Sequence, residues 1–143
     1  MEKKSTPVAR DPQRMHAMFR AAARLLNSGK VEDALTVIEY LTILDPTRSE
    51  YWVAGGVARM RLGQIEEAAV SFQVAESADD SDPVPVLLRG VCRLRQGLAG
   101  EGMAALRHAH SLCLASGRHS WVNAAVERQL EALEGLTSER AIA

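Results

Sequence analysis

The chain has 143 residues, one domain's worth, and 47% of them are hydrophobic while 4% are aromatic, an alanine-rich mixture that suits close helix packing. The formal net charge of −1 excludes a bulk electrostatic drive toward nucleic acid or an anionic membrane. Two cysteines, Cys92 and Cys113, are too few and too far apart for a disulfide framework, and no apolar run is long enough to span a bilayer.

Residues 1–14 are polar, contain Pro7 and Pro12, and lack the apolar core of a signal peptide. They read as a flexible arm, and the expected location is a reducing cytoplasm. The spacing then predicts a helix from Met15 to Asn27 that stops at Ser28-Gly29, where glycine can take the left-handed conformation. A second helix, Val31 to Leu44, stops at Asp45-Pro46, because a residue before proline is pushed out of the helical region. Ser49 is the expected N-cap of a helix over Glu50–Leu62. Gly63 turns the chain into Ile65–Ala78. The acidic stretch Asp79-Asp80-Ser81-Asp82 is the next loop, and its charge complements the N-terminal dipole of the helix that begins at Pro83. That helix runs to Gln96, turns at Gly97, and returns over Ala99–Ser116. Gly100 and Gly102 are poor helix formers, so this returning helix is expected to start late. A last helix, Ser120 to Gly135, has Trp121, Ala125, Val126, Leu130 and Leu133 as its expected inner stripe, and 137–143 is a flexible tail.

Gly29, Gly63 and Gly97 lie 34 residues apart, each between two helices. That period is the tetratricopeptide signature. The fold class is therefore all-α: a tetratricopeptide-repeat solenoid of three helix pairs, at about 15–48, 49–82 and 83–116, with a C-terminal capping helix at about 120–135, in one domain over 15–136. Setting the pairs in register aligns Ala22, Gly56 and Gly90 in the first helix, and Ala34, Ala68 and Gly102 in the second. Small residues at these crossings let two backbones approach. Ile38, Phe72 and Leu106 align as large apolar residues, and Leu41, Ala75 and Ala109 also coincide.

In such a stack the first helix of each pair lines the concave side. The fifth, ninth and twelfth residues of each repeat fall on one face. They are Phe19, Ala23 and Leu26, then Val53, Val57 and Met60, then Leu87, Val91 and Leu94. All nine are apolar, and a contiguous apolar patch marks an interaction site. Arg61 and Arg95 rim this groove at the next position of the second and third repeats. One buried aliphatic side chain gives about 1.5–3 kcal/mol, and association costs at least about 4 kcal/mol. A ligand therefore needs several apolar anchors, as an extended peptide from another protein supplies.

The stretch SGKVEDALTVIEYLTILDPTRSEYWVAGGVARMRLGQIEEAAVSF resembles the tetratricopeptide class II chaperones of type III secretion, which hold hydrophobic translocator subunits in the bacterial cytoplasm before export. The resemblance is sharpest over Ser28–Asp45 and Ser49–Phe72 and continues to about Leu114. It rests on the Leu44-Asp45 before the loop, the pair Tyr51-Trp52, the pair Gly55-Gly56, and Arg59 with Gly63-Gln64. It implies three repeats, a concave groove made of the nine residues above with Tyr40 and Tyr51 at its edge, and a proline-bounded apolar client segment lying in it. Family members commonly carry a longer N-terminal helical extension that contributes to dimer formation. Only 14 residues precede the first repeat here, which disfavours homodimerisation by that route. Two other readings stay open: a co-chaperone that sequesters a needle subunit or export component through an amphipathic helix, and a tetratricopeptide scaffold with constitutive partners.

No catalytic constellation, cofactor fingerprint or metal site emerges, so the chain reads as a binding protein and not an enzyme. His108 and His110 are two apart on a helix and point in different directions, and His16 and His119 have no ligand-like neighbours. The cysteines read as buried free thiols. Arg89, Arg93 and Arg95 cluster on one helix, most simply as a solvated face. The apolar groove positions, with Ala54 and Leu88 beside them, disfavour clamping of a C-terminal carboxylate.

Overall fold

Each of the three glycine turns closes in the same way. Gly29, Gly63 and Gly97 have φ of +82°, +78° and +79°, a region open to glycine at no steric cost. In each turn the glycine N–H reaches the carbonyl three residues back, and the next residue's N–H reaches five back: Gly63 to Met60 at 3.1 Å and Gln64 to Arg59 at 2.9 Å, with the same pairs at Gly29 and Gly97. This is the Schellman pattern, which satisfies the carbonyls left over at a helix end. The computed structural model describes residues 8–142, with side chains over 9–135. A short 3₁₀ turn, Val8–Arg10, leads into seven α-helices among the described residues: α1 (Pro12–Asn27), α2 (Val31–Leu44), α3 (Ser49–Arg61), α4 (Ile65–Ala78), α5 (Pro83–Arg95), α6 (Ala99–Ser116) and α7 (Ser120–Ile142).

Helices pair as neighbours in sequence. α1 packs on α2, α3 on α4 and α5 on α6, while α2 meets α3 and α7 lies on α6 with an edge on α5. The chain divides into two compact units at Ala78/Asp79. In the first, Met15, Leu41 and Tyr51 centre one cluster, with Met18, Phe19, Val37 and Leu44 around it. In the second, Val86, Leu87, Ala105, Leu106, Ala109, Cys113, Val122 and Val126 form the core. The repeat alignment locates the crossings: all twelve residues it places together, from Ala22, Gly56 and Gly90 to Leu41, Ala75 and Ala109, are buried.

Several boundaries differ from expectation. α1 begins at Pro12, inside the expected arm, because proline is favoured at the first helical position, where its missing N–H costs nothing. Residues 1–7 of that arm lie outside the described residues. Ser49 is the first residue of α3; the cap position is Arg48, whose side chain makes no capping bond. α6 starts at Ala99 and not late. Gly102 is needed there, since a Cβ would meet Leu94 Cδ2 at 2.6 Å and the Gly90 carbonyl at 3.2 Å. α7 continues to Ile142, so 137–142 are helical and not a tail; Ala143 lies outside the described residues. Its inner stripe runs through Val122, Val126, Leu130 and Leu133. Trp121, about 100° around the helix from Val122, is 61% exposed.

Gly135 sits in α7 with nothing within 4 Å of a built Cβ. Gly135→Ala is therefore expected to stabilise the chain by up to about 1 kcal/mol, the helix-propensity difference alone, read as a rise in the urea midpoint.

The loops repeat as well. Asp45 Oδ1 accepts the Thr47 N–H at 3.1 Å, and 34 residues on Asp79 Oδ1 accepts the Ser81 N–H at 3.1 Å and its hydroxyl at 2.7 Å. The Thr47 and Ser81 side-chain bonds are the leading cause that holds both carboxyls below the usual carboxylate range. A lowered folded pKa gives stability that is complete above the ordinary value near 4 and is lost as pH falls through the lowered one. Asp45→Asn with Asp79→Asn keeps the acceptors and removes the titration. We expect it to lower the melting temperature slightly near pH 7 and to flatten its decline below about pH 4, so that variant and wild type converge in acid.

Candidate peptide-binding face

In the first unit the row chosen from sequence is not fully packed away. Phe19 and Leu26 of α1 and Val53, Val57 and Met60 of α3 are half-buried, and Ala23 is exposed. Each helix turns its buried side to its partner, Met15 and Ala22 on α1 and Gly55, Gly56 and Ala58 on α3. The row borders that side, so its side chains keep one flank in contact and one in water. The Phe19 ring lies 5.2 Å from the Tyr51 ring, tilted by 57°, so it is a wall of the row anchored in the core. Arg61 is exposed and donates from Nη1 to the Leu26 carbonyl at 2.8 Å. It ties the end of α3 to the end of α1 beside the row.

In the second unit Val91 and Leu94 of α5 are half-buried and pack against the core, and Arg95 is exposed. Three residues need correction. Leu87 is 6% exposed and belongs to the core with Val122 and Val126; α7 touches α5 as well as α6 and leaves that side chain little surface for a ligand. Tyr51 is 2% exposed and is core, not edge; burial pushes its phenol pKa up. Tyr40 is 43% exposed but lies on α2, turned away from the buried row Ala34, Ile38 and Leu41, so it is no rim of a first-helix row.

Sequence reasoning missed the polar ties. Trp52 Nε1 donates to the Pro46 carbonyl at 2.8 Å and pins the α2–α3 loop. His110 Nδ1 meets Asn123 Oδ1 at 2.7 Å, and Asn123 Nδ2 donates to Glu127 Oε1 at 3.0 Å. That second bond orients the amide, so Nδ1 of His110 carries the proton and joins α6 to α7. A polar residue at helical spacing from a buried stripe is the sequence signal for such a tie, but its partner on another helix is not in the local sequence. Cys92 and Cys113 are buried, free, and pushed up in pKa by burial, which keeps their thiols protonated and unreactive. Among the described residues no three His, Cys, Asp or Glu side chains converge as a metal site, and no helix is long and apolar enough to cross a membrane.

No protein-family model matches the chain. In sequence it is 26% identical over 120 residues to the low calcium response locus protein H of Yersinia pestis, covering 84% of this chain and 71% of that one. In structure it resembles the type III secretion translocator chaperone SycD of Yersinia enterocolitica, with a TM-score of 0.82 and 25% identity over 85% of this chain and 91% of SycD. This chain has the fold and the sequence likeness of a translocator chaperone. SycD in complex with a peptide of the translocator YopD is similar too, with a TM-score of 0.70 and 25% identity over 83% of this chain and 96% of that one. PcrH, in complex with the chaperone-binding region of PopD, shares the fold at a TM-score of 0.84 and 21% identity, covering 96% of this chain and 99% of PcrH. The likeness extends over a chain that is all-α and of the tetratricopeptide type, with three helix pairs and a closing helix among the described residues.

Proposed function

We propose that this chain is a cytoplasmic chaperone of a bacterial type III secretion system. It is a binding protein and not an enzyme, and it takes apolar segments of a hydrophobic translocator against its first-helix face, keeping that client soluble and fit for export. The observation that carries this reading is the half-buried aliphatic row of α1 and α3 in a chain similar to SycD, a chaperone solved with a translocator peptide. Each of Leu26, Val53, Val57 and Met60 keeps apolar surface in water that a ligand can cover. Each anchor supplies about 1.5–3 kcal/mol against an association cost of at least about 4 kcal/mol. Reaching micromolar affinity, about −8 kcal/mol, therefore takes four or more anchors, which favours an extended segment that contacts several helices.

Co-expression with the hydrophobic secreted proteins encoded beside its gene, followed by purification, tests the proposal. A translocator that is insoluble alone and emerges in a stoichiometric soluble complex supports it. Capture of only a small, helical, self-polymerising subunit replaces it with the needle co-chaperone reading, and capture of neither retires both.

A further inference from the structure

The second helix pair contains an arginine that does not behave as its repeat position predicts. Arg59 lies in the last turn of α3, where a cation complements the helix dipole from solvent. Its side chain instead turns inward and is 21% exposed. Nη2 pairs with Glu39 Oε1 of α2 at 3.0 Å, and Nη1 donates to Ser71 Oγ of α4 at 3.0 Å. Ser71 is 4% exposed, the buried polar side chain among the described residues, and its hydroxyl donates to the Glu67 carbonyl at 3.0 Å. One guanidinium thus joins three helices.

Room for it is provided by Gly55. A Cβ there would lie 3.2 Å from Arg59 Nη1 and 3.4 Å from Ile38 Cγ2. Glycine is a poor helix former, and its presence in mid-helix is explained by this approach. In sequence this set of residues occurs in the second pair and not at the matching positions of the other two. The positions of Gly55, Arg59 and Ser71 hold Ala21, Leu25 and Val37 one repeat earlier, and Arg89, Arg93 and Ala105 one repeat later. Arg93 stays within its own hairpin, on Gln96 Oε1 at 3.0 Å and Glu101 Oε2 at 3.4 Å. A device for capping every hairpin would recur; this one does not.

Its place in the first unit gives it a use. α1 meets α3 over few residues, and most of the packing that connects them runs through α2. The disposition of α2 on α3 therefore sets the separation of Phe19, Ala23 and Leu26 from Val53, Val57 and Met60. We propose that Arg59, seated against Gly55, is a positioning residue that fixes the spacing of α1 and α3 and so shapes the client-binding row of the first unit. Arg59 is not in that row. It acts through Glu39 and Ser71, and a planar fork with two directed bonds holds an angle as a lysine cannot. The consequence for binding rests on the proposed chaperone function; the spacing does not.

The test separates the two. Spin labels at Arg20→Cys on α1 and Gln73→Cys on α4, both exposed, report the distance between the first two helix pairs; Cys92 and Cys113 are buried and stay unlabelled. The wild-type distance distribution is expected to be narrow. Arg59→Met, which keeps the stem and loses both bonds, broadens it, Arg59→Lys falls between, and Gly55→Ala broadens it with the arginine still present. In the Arg59→Met background Gly55→Ala adds nothing further, which a general loss of helix stability would not reproduce. Affinity for the translocator that co-purifies with the wild type falls roughly tenfold in Arg59→Met, a typical coupling between distant groups, with partial recovery in Arg59→Lys. Unchanged distance distributions overturn the proposal, as does broadening with unchanged affinity. A wild-type chain that holds no translocator retires the chaperone function, and the distances alone then decide the role of Arg59.

Discussion

Gly56→Ala is expected to destabilise the folded chain by about 1–3 kcal/mol, and to reverse sign once Phe72 has been cut to alanine. A Cβ on Gly56 would lie 2.4 Å from Phe72 Cε1 and 2.7 Å from Cζ, distances at which something must move. The ring is flat, completely buried, and sits where α3 crosses α4. Ala58, Ala68 and Ala75, also fully buried, line the same helix pair, so the ring has no solvent side to swing into. Alanine's better helix propensity returns at most about 1 kcal/mol, less than the overpacking costs. Phe72→Ala alone removes a large side chain from a site that cannot collapse and is expected to cost about 3–5 kcal/mol. In that background the new methyl at position 56 enters vacated volume, so the propensity gain is no longer cancelled. Urea unfolding of the four proteins should give a coupling of about 2 kcal/mol between the sites. Additive effects would mean that the close approach of Gly56 to the ring does not govern this crossing. Gly135→Ala is the matched control: the same change in open space, with the opposite sign.

The period of 34 carried most of the fold because the turn chemistry is local. A left-handed glycine, two carbonyls to satisfy and an Asx turn are settled within a few residues, so Gly29, Gly63 and Gly97 could be read directly, as could the helices they separate. Small and large residues at repeat spacing identified the crossings because close helix packing punishes any other choice. The binding row was only partly legible. Helical spacing places Leu87 beside Val91, but whether a side chain on that face meets water depends on α7, an element that the repeat does not describe. Tyr51 was lost to the core for a similar reason, since its partner Phe19 lies one repeat away. Arg59 carries part of the family resemblance in the sequence but not its role, which needs Glu39, Gly55 and Ser71 at once. Trp121 shows the limit of a stripe count: the turn through Gly117 and His119, both at positive φ, sets the register of α7, and a shift of one residue exchanges Trp121 for Val122.

Val57→Asp is expected to cost client affinity roughly ten- to a hundredfold while leaving the fold in place. The first figure follows from the loss of one aliphatic anchor, about 1.5–3 kcal/mol, at about 1.4 kcal/mol for each factor of ten. A carboxylate facing an apolar segment adds desolvation to that loss. The second follows from position: Val57 is half-buried on α3 with one flank in water, so an aspartate there can hydrate, and its helix-propensity cost is below about 1 kcal/mol. Val91→Asp tests the second unit less cleanly, because Val91 packs against the core of that unit and its replacement also costs stability. Leu87→Asp would report unfolding alone. The decisive comparison is with Ile43→Asp on α2 and Val70→Asp on α4, at 73% and 54% exposure. Both remove an exposed aliphatic and add the same charge, but on the second helices. If the first-helix row holds the client, Val57→Asp fails to co-purify it, whereas Ile43→Asp and Val70→Asp retain it with equal melting temperatures. The opposite outcome, binding lost only when Ile43 or Val70 is changed, would move the site to the second-helix surface. The half-burial of Val57 would then be the ordinary edge of a helix pair.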